Sequence, residues 1–261
     1  MLPESEPTEQ ALPPVDELTV PEAPVAPIVE RQPFWGYIDL AMVIGLMVAI
    51  IGIVLVSVAL AMMLVPSLKT DPTPILLPAQ LGLYVAIYLA LKITFALRHQ
   101  RPVFSSLGAN KNWTPRLLAM VALLGLALSP AVSAVAELFH TPEVNMDILE
   151  LLNKSPVILA LFGVMAITIT PFFEELLFRG FFQPLFSRSL GVAGGIALTA
   201  LLFGALHGPE YNFHWQYVAA ISLVGAALGA VRYKTGSIIT SSVMHACYNL
   251  VAVIALVIKH Q

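Results

Sequence analysis

The sequence predicts an all-α fold, a polytopic transmembrane bundle of about seven to eight helices, each near the ~20 residues that a span requires. Three observations carry that prediction. The 261-residue chain is 58% hydrophobic and 11% charged, with mean hydropathy +0.84, whereas a soluble domain carries about 25% charged residues. Apolar runs recur at 38–65, 76–97, 117–137, 157–178, 192–206, 216–231 and 238–258. The segments between them are short and polar or proline-bearing, as at 66–74 and 140–156, the latter with room for a short surface helix.

Ahead of the first run, residues 1–35 form an acidic, proline-rich tail. Seven of the sixteen acidic residues and eight of the twenty prolines fall within positions 1–33. Such a composition buries too little apolar surface to offset chain entropy, so disorder is expected. Two further divisions follow: N-terminal transmembrane helices over 36–150, and a core over 151–261 that holds the residues able to do chemistry.

Without the tail the protein is mildly basic, but no Lys/Arg cluster is interleaved with aromatics on a polar face, so nucleic acid is not an expected partner. The lone cysteine, Cys247, rules out an intramolecular disulfide framework and a cysteine metal cluster; its expected role is packing. A basic n-region and an early apolar core are both missing, so the first span is expected to stay as an anchor. A bacterial inner (cytoplasmic) membrane is the default location.

Basic residues set the orientation. With the N-terminus inside, the inner segments carry Arg31, Arg98, Arg101, Lys111, Arg116, Arg179, Arg188, Arg232 and Lys234, against Lys69, Lys154 and Lys259 outside. In the later runs Gly191/Gly195, Gly204/Gly208 and Gly225/Gly229 recur at a spacing of four, which lets membrane helices approach closely.

Within the run Pro171–Gly180 stand two adjacent carboxylates, Glu174 and Glu175. A charge at membrane depth costs roughly 2.5–3.5 kcal/mol on insertion scales, which makes intramembrane ionisable residues a functional site by default. Pro171 is expected to open or kink the helix, with helical structure continuing through Arg188 and Pro184 the only later interruption. Glu175 and Arg179 stand at i and i+4, in the favourable order for an ion pair, while Glu174 points about 100° away around the helix. Glu174 lies about fourteen and His207 about fifteen residues from the turn that separates their helices, about 21–23 Å at ~1.5 Å per residue. The two are therefore expected to be level and to hold a water between them for deprotonation.

On the last run His245 and Asn249 repeat the i, i+4 relation, presenting N–H donors suited to a developing oxyanion. Glu174, His207 and His245 also match the ligand count of a catalytic zinc. Other polar residues read more simply: Asp39 and Lys92 lie near span ends where side chains can snorkel, and Glu137, His99, His140, His214 and His260 lie at helix ends, loops or the terminus. Glu210, Tyr211, His214 and Trp215 fit an entrance rim or an interfacial aromatic belt.

Taken together, Glu174-Glu175-x-x-x-Arg179, Phe203-x-x-x-His207 and His245-x-x-x-Asn249 resemble the CAAX prenyl endopeptidase type II and bacteriocin-processing (CPBP, Abi) family of intramembrane proteases, over about residues 155–255. The resemblance implies an intramembrane endopeptidase that cuts a membrane-associated peptide or protein, lipidated and CAAX-like for some members, with glutamate-activated water. It implies Glu174 as base, His207 as its partner, and His245 with Asn249 as oxyanion stabilisers. Glu175, Arg179 and Phe203 would support them. It also implies no cofactor, zinc being the alternative that the residue types allow. The expected partners are the substrate and the lipid bilayer. A non-proteolytic membrane binding or immunity protein using the same polar cavity is the alternative reading. A cation or proton transporter is disfavoured, because the first half holds no inverted repeat of the glutamate segment.

Overall fold

The computed structural model describes residues 33–110, 113–142 and 155–259, all within one compact unit, Gln32–Gln261. The tail reading for positions 1–32 and the surface helix expected within 140–156 fall largely outside these residues. The described structure is helical throughout. In chain order it comprises α1 (Tyr37–Leu64), α2 (Thr73–Arg98), α3 (Pro115–Leu138), α4 (Pro156–Ile167), α5 (Ile169–Glu175), a π-helical segment (Leu176–Phe182), α6 (Gln183–Leu206), α7 (Trp215–Thr235) and α8 (Ile238–Lys259). Short helical turns join α1 to α2, precede α3, and link α6 to α7.

Local chemistry explains several boundaries. The Thr114 hydroxyl accepts the Leu117 N–H, the Ser155 hydroxyl accepts the Ile158 N–H, and Pro115 and Pro156 occupy the first helical positions of α3 and α4. These devices satisfy backbone donors that helix starts leave unpaired. At the other end of α7, Gly236 takes the left-handed conformation (φ 68°) and donates its N–H to the Arg232 carbonyl, a C-terminal stop that glycine adopts without a Cβ clash.

Among the described residues, six helical stretches are long and apolar enough to cross a membrane. One of them, Pro156–Leu206, has 51 residues, which at ~1.5 Å per residue is far longer than a bilayer core of ~30 Å. Gly191 resolves the mismatch: its φ of 74° folds the stretch into two arms. The fourth and fifth apolar runs are thus the arms of one hairpin, as their sequence separation implies. The protein is an integral, multi-pass membrane protein, and side chains of α1 such as Val48, Ile53 and Leu55, each more than 60% exposed, form a lipid-facing surface.

α6 packs on α7, α8 on α3, and α1 on α2. Small residues make the first two contacts close. A Cβ added at Gly204 would lie 2.4 Å from the Val218 carbonyl oxygen, and one at Gly125 would lie 2.2 Å from that of Met244. Backbone occupies the space, so neither neighbour can rotate away. Gly204→Ala is expected to cost about 1–3 kcal/mol through forced separation of α6 and α7. Thermal unfolding in detergent would show it, and unchanged stability would contradict the packing described.

Two sequence readings are corrected here. Asp39 does not snorkel: it is 2% exposed, accepts the Gly36 N–H at 2.8 Å, and pairs with Arg98 and His99 at the end of α2. Capping α1, pairing with the Arg98 guanidinium and hydrogen bonding with His99 are what permit its burial. The break expected at Pro171 falls three residues earlier, at Thr168 (φ −126°, ψ −72°), and the helix then runs unbroken through Arg188 as expected, winding as a π-helix from Leu176 to Phe182. Pro171 lies within the first turn of α5, where its missing N–H leaves no helical bond unmade.

Candidate active site

The polar centre lies where α5, the π segment, α6 and α8 meet, with α2 along one side. Its foundation is the buried pair that the i, i+4 spacing predicts. Arg179 Nη1 stands 3.0 Å from Glu175 Oε1, and both side chains are 0% exposed. Arg179 Nη2 also donates to the Gly225 carbonyl at 2.9 Å, and the guanidinium carbon lies 4.5 Å from the Phe203 ring centroid. A buried guanidinium is tolerable only with such partners on several sides: carboxylate, carbonyl and aromatic face. Arg179 sits in the π segment, a local widening that recurs at functional sites. There Gly180 lets the 107–108 backbone come close, since a Cβ on it would stand 3.1 Å from the Leu107 carbonyl oxygen.

His245 of α8 connects the two glutamates. Its Nδ1 is 3.2 Å from Glu175 Oε1 and its Nε2 is 3.7 Å from Glu174 Oε2. A neutral ring can donate to one of these carboxylates and a protonated ring to both. The glutamates differ in their surroundings. Glu175 is enclosed and held by two cationic or donor groups, whereas the Glu174 side chain is 18% exposed. Glu174 is therefore the carboxylate that a water or substrate can reach.

His207 ends α6. Its Nδ1 is 2.8 Å from the Phe203 carbonyl, an acceptor, so a neutral ring carries its proton on Nδ1 and leaves Nε2 as the basic nitrogen. The Phe203 ring lies between the imidazoles, 4.6 Å from His207 and 5.8 Å from His245, centroid to centroid. The imidazole within 4 Å of Glu174 is that of His245; the water-bridged relation expected between Glu174 and His207 needs a wider separation than such a direct contact.

Asn249 Nδ2 donates to the Ala166 carbonyl at 2.9 Å, one of the carbonyls that the break at Thr168 leaves without a helical partner. Asn249 thus braces the junction of α4 and α5 from the helix that carries His245.

One contributor was not singled out from sequence. Tyr84 of α2, 2% exposed, receives a hydrogen bond from Gln80 Nε2 at 2.6 Å, meets the Thr170 hydroxyl at 2.5 Å, and stacks on Phe173 with ring centroids 5.5 Å apart. Thr170 stands one turn before Glu174. In an apolar run a tyrosine reads as core, and the only available signal was its i, i+4 relation to Gln80. Tyr84→Phe leaves Gln80 and Thr170 without this partner and is expected to lower stability by about 1–3 kcal/mol. Thermal unfolding of the purified protein reads that loss; an unchanged midpoint would mean that the hydroxyl is idle.

Beyond α6, Tyr211 stacks on Tyr217 at 4.3 Å, and burial first, then the charge of Glu210, pushes its hydroxyl up to about 12, so it stays protonated at neutral pH. The Glu210 residue is exposed overall, yet its carboxyl is crowded by protein atoms. That burial raises it above the usual carboxylate range; the charge of Glu174 adds to the effect, and His207 opposes it. Trp215 packs edge-on against Phe139 and remains 60% exposed, as an interfacial aromatic would.

Among the described residues, no three His, Cys, Asp or Glu side chains gather in an arrangement able to hold a metal ion. Glu174, His207 and His245 have the residue types for zinc but not the placement.

The three motifs lie on adjacent helices within residues 156–251, which match the family model described as type II CAAX prenyl endopeptidase Rce1-like. The chain carries an Rce1-like region. It runs from the start of α4 through the first half of α8 and contains every motif residue discussed, while α1 to α3, with Tyr84, lie outside it. No curated protein and no solved structure matches the chain. The Rce1-like match supports a CAAX-type intramembrane protease fold in this region.

Proposed function

We propose that this protein is an intramembrane endopeptidase that hydrolyses a membrane-associated peptide or protein with water activated by Glu174. The carrying observation is the unequal treatment of the two glutamates: Glu175 is sealed against Arg179, while Glu174 is partly accessible and has His245 at 3.7 Å. A carboxylate so placed takes a proton from water as the oxygen attacks the scissile carbonyl. The proton then passes to the leaving amine, returning the carboxylate.

His245 supplies an N–H toward the developing oxyanion, and Glu175 with Arg179 fixes the tilt of its ring. Asn249 has a second N–H beyond the one given to Ala166 and is the other donor in this reading. His207, with Nε2 basic, takes up or returns a proton at the same site. A bacterial cytoplasmic membrane with the N-terminus inside completes the proposal.

Comparative membrane proteomics tests it directly. A strain carrying Glu174→Ala should accumulate uncut precursors that the parent lacks. Identical precursor levels would defeat the protease reading and favour a binding or immunity protein that uses the same cavity without cleavage.

A further inference from the structure

A second built feature lies at the opposite end of the hairpin from the glutamates. A cavity of about 520 Å³ opens between the start of α1, the 105–110 loop, the hairpin tip and the α7–α8 turn. Its polar lining is Ser105, Ser106, Asn110, Ser187, Arg188 and Arg232, with no acidic side chain among the described lining residues. Two guanidinium groups and no carboxylate face this space among the described lining residues, which favours an anion.

The arginines are set in place. Arg188 Nη1 donates to the Pro33 carbonyl at 3.0 Å, and Arg232 Nη2 is 3.5 Å from the Leu107 carbonyl. Arg232 Nε is buried without a hydrogen-bond partner, an arrangement that costs free energy unless something occupies the site. Glycine makes the room: Gly108 has φ 86°, and a Cβ there would stand 2.5 Å from Arg232 Nη2. The cavity also lies at headgroup depth. Arg232 is in the last turn of α7, and Arg188 lies three residues before the Gly191 fold. This end of the bundle gathers Arg98, Arg188 and Arg232 and is the inner face by the charge rule.

We infer that this cavity binds the phosphodiester headgroup of an anionic phospholipid of the inner leaflet. Basic pockets between membrane helices on that side recognise such headgroups. A volume of about 520 Å³ exceeds what a bare phosphate fills and accommodates a headgroup with its glycerol. The inference is independent of proteolysis.

The test uses the delipidated full-length protein in detergent, titrated with phosphatidylglycerol or phosphatidylcholine and read by native mass spectrometry. Phosphatidylglycerol should bind at least tenfold more tightly than phosphatidylcholine. Arg232→Gln and Arg188→Gln should each remove most of that preference, whereas Arg116→Gln, on the exposed first turn of α3, should retain it. If Arg232→Gln does not fold, Ser105→Glu, on an exposed loop position, places a negative charge at the cavity and should abolish the preference. Equal binding of the two lipids, or equal loss in Arg116→Gln, would overturn the site. Displacement of phosphatidylglycerol by millimolar inorganic phosphate would overturn the lipid assignment and identify a soluble phosphate as the ligand.

Discussion

Glu174→Gln should lower peptide cleavage by about 10²–10⁴-fold, the range that a positioned general base contributes, while leaving the bundle folded. The substitution keeps the size of the side chain and removes its proton acceptor. Glu174 is partly exposed and makes its recorded charged contact with His245 at 3.7 Å, so little folding free energy depends on its charge. The expected signature is therefore loss of turnover with unchanged thermal stability and unchanged elution in detergent. Substrate that binds but is not cut would complete the picture. Cleavage at the parental rate would remove Glu174 from the mechanism and with it the assignment of roles within the pair.

The neighbouring residues should respond in the opposite way. Arg179→Met leaves the Glu175 carboxylate 0% exposed, with the His245 ring 3.2 Å away but without its guanidinium, and strips a donor from the Gly225 carbonyl. Breaking a buried pair by removing one member typically costs about 3–5 kcal/mol, because the other charge stays desolvated. The variant is thus expected to unfold or aggregate in detergent under conditions that the parent survives. Removing both charges is less harmful than removing one. Glu175→Gln with Arg179→Met should recover much of the lost stability without restoring activity, since His245 would still lack its anchoring carboxylate. Equal damage in the single and double variants would show that the ion pair is not what makes Arg179 necessary.

The contrast between these two results follows from one turn of helix. Adjacent glutamates point about 100° apart, and only one of them meets an arginine at i+4. That much was legible in the residues, as was the helical class, from apolar run length, and the hairpin, from two runs meeting at Gly191. The Arg179–Glu175 pair formed as read, 3.0 Å apart. Phe203, His245 and Asn249 came to the same centre because i, i+4 spacing keeps each motif on one helix face.

Other features resisted the sequence for identifiable reasons. Asp39 read as a snorkelling acid because its partners Arg98 and His99 are about sixty positions away, and only the packing of α1 on α2 brings them together. Tyr84 looked like any aromatic in an apolar span, and its polar role depends on Thr170, from a helix 86 positions later. The π segment carries no local composition signal, yet it holds Arg179, the partner of Glu175.

By itself the sequence determined a membrane bundle, the residues with chemical capacity, and the internal division of the glutamate pair, because those depend on composition and on the 3.6-residue period. Tertiary structure alone decided that His245 comes within 3.7 Å of Glu174, that Asn249 braces the break after α4, and that arginines from two turns converge with serines on one cavity. Helix rotation and register are set by packing between elements, and a constant rise along a single chain does not encode them.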